Sequence, residues 1–199
     1  MTPPAAETVQ SIIQDFIFVT NAVYGTYLDA SMAIGNLAVG YMQIHKEHVE
    51  KVHASGETIT PQLLNPVLFY NAGPKEGEQR AIHQTTLVDI IERNLLNGRH
   101  MQFLARMCIV SLYQYWEDDF RPRLAKVIGQ KPKHEVFGEL RHLRRSIIHR
   151  GGRSLPELAT FTLLPRFEPD SELLLDQAAM DHIFNAVKEA ASELLAGAA

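Results

Sequence analysis

Between Phe16 and Ile44 the chain carries a single charged side chain, Asp29. A tract this poor in charge must be sheltered from water by a lipid bilayer or by a protein core. A bilayer-spanning helix needs about twenty predominantly apolar residues. Here Thr20, Asn21, Thr26, Ser31 and Asn36 interrupt the run, together with Gly25, Gly35 and Gly40. The tract therefore reads as a long, largely buried helix of an all-helical core and not as a membrane span. It begins near Glu7, after Pro3 and Pro4, and runs to about residue 54, where "SGETITPQ" breaks it. A bend is expected near Gly25 or Gly35.

The rest of the chain supports the same fold class. Its 199 residues, 46% hydrophobic and 21% charged, suffice for one sizeable core, so a single domain over residues 1–199 is expected. Residues 57–81 are loop-like, although "VLFY" can form a short strand or pack as an apolar plug. Helical periodicity returns in "TTLVDIIERNLL" and continues through "RHMQFLARMCIVSLYQYWEDDFRPRLAKVIG", where Pro122 must kink the helix or start a new one. A C-terminal helix is expected over 176–196, with Asp176 as its N-cap. The fold expectation is all-α, an antiparallel helical bundle, with one short β-hairpin near residues 158–175. "MTPPAAETVQ" lacks a basic segment followed by an apolar core, so a cytoplasmic protein is expected. Cys108, the lone cysteine, lies in the apolar run "MCIV" and reads as a packing residue.

Charge is unevenly placed. The net charge is -4, yet residues 121 to 153 hold ten Lys or Arg and only two acids, Glu135 and Glu139. The densest part is "GELRHLRRSIIHRGG", residues 138–152. At 100° per residue, Val136, Leu140, Leu143 and Ile147 form a core stripe, with Arg144 at its edge and Arg141 beyond. Arg145, His149 and His142 occupy the open face. Such a face can be solvated, set against acids, or laid on a polyanion. No carboxylate lies between Arg141 and Arg153, so the usual i,i+4 partners are missing. The helix stops just after His149, where exposed carbonyls favour an imidazolium and the neighbouring arginines oppose it.

These residues carry a family resemblance. "RRSIIH", with Arg144 and His149 at its R-x-x-x-x-H positions, resembles the signature of HEPN domains, and the preceding "SLYQYWEDDFRPRLA" is similar to a stretch found before that signature in bacterial members. The likeness covers about residues 85–152. It implies an all-helical bundle, a homodimer in which two signatures meet, and in many members a metal-independent ribonuclease of toxin, defence or RNA-processing type. Other members bind nucleotides or proteins without catalysis. Where the family commonly has a small polar residue after the signature arginine, this chain has Arg145.

Self-cleavage of RNA through its 2′-hydroxyl needs a base, an acid and a cation for the charge on the phosphorane. Arg144 offers a bidentate fork to phosphate, and His149 can be base or acid. Arg141, Arg145, Arg150 and Arg153 are expected to bind RNA, with Trp116, Glu117 and Arg121 in support, Glu117 pairing with Arg121 one turn on. On the wheel Arg144 and His149 stand about 140° apart, so a distorted helix end or a second protomer must bring them together. No metal and no cofactor are expected: His45 and His48 have ligand spacing, but no second cluster follows, and they read as a solvated helix end. RNA, a second copy of the chain and an antitoxin or other protein are the expected partners.

Overall fold

A computed structural model describes residues 7–72 and 80–197. Helices dominate it, and one antiparallel hairpin is the only sheet among the described residues, so the chain is all-α. The described residues group into two compact units, divided between Asp29 and Ala30 and between Met101 and Gln102. Helix α1, Val9–Ser55, contributes to both.

The unit that carries the signature contains α4 (Arg99–Tyr115, from Gln102), α5 (Arg121–Ile128), α6 (Glu135–His149) and α7 (Gln177–Ala196), together with the first part of α1. The stripe expected on α6 is its buried face: Val136, Phe137, Leu140 and Leu143 are all inside. Phe16 of α1 packs on Trp116, Phe120 and Phe137, at ring centroid distances of 5.0 to 5.9 Å. Trp116 stacks face to face on Phe137. Aromatic burial of this kind is among the larger contributions a small core can make.

Pro122 neither simply kinks the helix nor simply starts a new one. Residues Trp116–Phe120 form a π-helical turn between α4 and α5, closed by the Arg121 N–H donating to the Trp116 carbonyl. Proline has no N–H for an α-helical bond and crowds the carbonyl four residues back, and the wider turn accommodates both defects. Gly129, at φ 81°, ends α5 in the left-handed conformation.

The hairpin lies elsewhere than near residues 158–175. Its strands are β1, Val67–Ala72, and β2, Arg80–Thr86, in the other unit. Pro165 and Pro169 deprive the 158–175 segment of ladder donors. A 3₁₀ turn, Pro156–Thr160, leads into it, and a single bridge joins its Glu172 to Arg153. Its loop is held instead by the Glu139 carboxylate of α6, which accepts from the backbone N–H groups of Thr162, Leu163 and Leu164. Asp176 caps α7 by accepting from the Ala179 N–H at 2.8 Å.

The central part of α1 differs from the buried helix anticipated for it. Met32 is 68% exposed and Val39 64%, with Leu37, Met42 and Ile44 also open. No helix among the described residues is long and apolar enough to cross a membrane. In the unit of residues 30–101, His45 and His48 of α1 bond through Nε2 to the carbonyls of Leu64 and Leu63. They tie down the end of the short helix α2, Pro61–Leu64, rather than being merely solvated. The sequence placed them on a helix end but could not show what they would meet.

Candidate nucleic-acid interface

Helix α6 is regular from Glu135 to His149 and is capped at its start by His134, whose Nδ1 accepts from the Val136 N–H. Its end is formed by Gly151 and Gly152, both at positive φ, with the Gly152 N–H on the Ser146 carbonyl at 3.1 Å. Gly152 has a second reason to lack a side chain. A Cβ there would stand 2.5 Å from the Arg106 guanidinium, which donates to the Leu173 carbonyl and to Glu172. Arg106 thus underlies the signature helix end, a contact that no local pattern in the sequence signals.

Arg144 is half-buried, with its guanidinium over the Tyr113 ring at 5.7 Å, within cation–π range. Its Nε is enclosed and has no hydrogen-bond partner. Arg141 is exposed and makes no ion pair among the described residues, and Arg145 reaches Glu157 only at 4.0 Å. These three arginines line a cleft of about 280 Å³ with Tyr113, Glu117 and Asp118. Both acids of the cleft are engaged. The Glu117 carboxylate accepts from Arg121 Nη1 through both oxygens at 2.8 Å, and Asp118 accepts from Gln114. Arg121 in turn donates to the Pro132 carbonyl at 3.3 Å, so the expected Glu117–Arg121 latch also secures the loop before α6. Trp116 lies beneath, buried in the core. Burial pushes the Tyr113 hydroxyl up, and the Glu117 charge adds to this.

His149 stands at the other side of the helix, exposed, its side chain without a hydrogen bond or ion pair among the described residues. The regular α6 keeps the 140° separation, and the single chain does not bring Arg144 and His149 together. The remaining arginines find partners through the tertiary fold. Arg150 pairs with Asp170, and Arg153 donates to the Asp170 carbonyl at 2.7 Å. His142 lies 3.8 Å from Glu157, with burial holding its imidazole below the ordinary histidine range, assisted by Arg141 and Arg145 and opposed by Glu157. Glu157 and Asp170 belong to the proline-punctuated tail, so the missing i,i+4 acids are replaced in part by distant ones. Arg141 and Arg144 receive none.

Cys108 is buried and its thiol is pushed up to about 11 by burial, in keeping with a packing role. Among the described residues no group of three or more His, Cys, Asp or Glu side chains can hold a metal ion. No family model, curated protein or solved structure matches the chain.

Proposed function

We propose that this is an HEPN-like protein acting on RNA as a metal-independent endoribonuclease of toxin or phage-defence type. The observation that supports this is the asymmetry of α6. Among the described residues, Arg141 and Arg144 face one cleft without an acidic partner of their own, while the His149 side chain ends the helix with no partner. In this reading Arg144 and Arg141 hold a phosphate, Arg145 strengthens the local field, and His149 exchanges the proton with the 2′-hydroxyl or the departing 5′-oxygen. Because Arg144 and His149 point away from each other, the site is completed in a homodimer, one protomer presenting its arginines to the histidine of its partner.

The test is incubation of labelled single-stranded RNA with the protein in EDTA, beside His149→Ala and Arg144→Ala. Cleavage by the wild type alone, leaving 2′,3′-cyclic phosphate ends, is expected. One observation favours a second reading, a non-catalytic RNA-, nucleotide- or protein-binding module. His149 has no partner to fix its ring and tautomer, as an orienting hydrogen bond would. Salt-dependent RNA binding without cleavage by a confirmed dimer would select that reading.

A further inference from the structure

Gly138 is a helix-interior glycine with no visible reason to be one. It sits in the second turn of α6, its φ is not positive, and a Cβ built on it would meet nothing within 4 Å. Glycine there costs about 1 kcal/mol against alanine. Neither backbone strain nor packing within the chain accounts for it. The other common use of glycine is to let something approach the backbone closely.

Gly138 lines two clefts, one toward Glu139, His142 and Glu157 and one that shares residues with the arginine cleft, and the second bears on the candidate interface. Gly138 lines a second cleft of about 280 Å³, walled by His134, Phe137, Tyr113 and Arg141, with Glu117 and Arg121 also on its lining. The size is close to the lower end of small-molecule pockets, roughly 300 Å³, and suits one flat ring system. Tyr113, Glu117 and Arg141 line this cleft and the arginine cleft alike, so the two clefts adjoin at these side chains.

Of the side chains shared by the two clefts, Glu117 is the carboxylate, and it selects the ring. Glu117 is only partly covered, with 38% of its side chain exposed, and Arg121 binds it through one nitrogen. A carboxylate so placed still has lone pairs to offer and only accepts. Among the four RNA bases, guanine alone presents two adjacent donors on its Watson–Crick edge, N1–H and N2–H₂. Adenine pairs one donor with one acceptor, cytosine sets one donor beside two acceptors, and uracil flanks one donor with two acceptors.

We propose that the Gly138 cleft is a guanine subsite, with Glu117 reading the N1–H and N2–H₂ edge of a base whose phosphate lies on Arg141, Arg144 and Arg145. The assignment rests on the reading of this protein as one that acts on RNA, and it adds base preference to it. Glu117 takes the role of a specificity residue, and Arg121 that of the residue that positions it.

The test is fluorescence anisotropy of a labelled uridine octamer and of the same octamer with one central G, A or C, using His149→Ala protein to prevent cleavage. Binding about tenfold or more tighter to the G-containing octamer is expected, the range a bidentate base contact supplies. The ratio of affinities for the G and U octamers should fall to about one in Glu117→Gln and also in Gly138→Leu, which puts a side chain into the cleft and leaves both members of the Glu117–Arg121 pair in the chain. Binding of all octamers alike, with salt dependence, overturns the guanine subsite and leaves the RNA reading standing. A G preference that survives both substitutions overturns the assignment to this cleft. Calorimetry with free GMP and AMP distinguishes the sources. GMP binding that depends on Glu117, without octamer binding, keeps the subsite and overturns the RNA reading, and binding of neither overturns both.

Discussion

Replacing Gly152 by alanine puts a methyl group where the Arg106 guanidinium lies, 2.5 Å from Nη1 and 2.6 Å from Cζ. Two costs arise. At φ 85° a side chain is strained by about 1 kcal/mol. Arg106 must also withdraw, giving up its bond to the Leu173 carbonyl, about 1.5 kcal/mol for a charge-assisted bond at a mostly covered site. Its bond to Glu172, whose side chain is 66% exposed, adds little. The expected destabilisation is about 2.5 kcal/mol, measured as a shift of the urea midpoint at unchanged slope. Arg106→Ala alone should cost about 1.5 kcal/mol. In the double variant the methyl group meets no guanidinium, so only the φ strain is added, and the double should fall about 1.5 kcal/mol short of the sum. A cycle that is additive within 0.5 kcal/mol would refute the claim that Gly152 is required by Arg106.

Two further outcomes concern α6. Glu139→Ala removes the acceptor of three loop N–H groups and should cost about 2–3 kcal/mol, with faster amide exchange confined to residues 162–164, whereas Glu139→Gln retains a carbonyl and part of that stability. If exchange at those amides is unchanged in Glu139→Ala, the loop is held by something else. Because burial keeps His142 below the ordinary histidine range when folded, the unfolded chain takes up its proton first as pH falls. Stability should therefore decline as pH drops below about 6.5 and level off beneath the folded value. His142→Gln should lose less in Tm between pH 7.5 and 5.5 than the wild type, and equal losses would remove His142 from the account. His100, lowered chiefly by burial, contributes in the same direction in both proteins.

The signature helix was readable because its information is local. The spacing of Val136, Leu140 and Leu143 sets which side is buried, Gly151 sets where the helix ends, and Glu117 and Arg121 are one turn apart whatever surrounds them. The same locality explains the 140° between Arg144 and His149, which a regular helix imposes. Reading the N-terminal tract as largely buried failed because apolar composition states what a helix can bury and not what the chain provides to cover it. Met32 and Val39 are apolar and still exposed. The hairpin was placed in the wrong apolar segment because strand propensity cannot decide which of two short runs finds an antiparallel partner. The prolines decided against 158–175, and a neighbouring strand of matching register decided for 67–72.

By itself, then, the sequence determined the all-α class, the orientation of α6, the caps at Asp176 and Gly129, and the concentration of positive charge, all consequences of residues within a few turns of one another. The tertiary structure alone decided which cations keep their charge unpaired. Glu157 and Asp170 come to Arg145 and Arg150 from across a loop, Tyr113 comes to Arg144, and Arg106 comes beneath Gly152. Coulombic and packing contacts act through space, and a separation of 12 to 46 residues along the chain leaves no periodic trace of them.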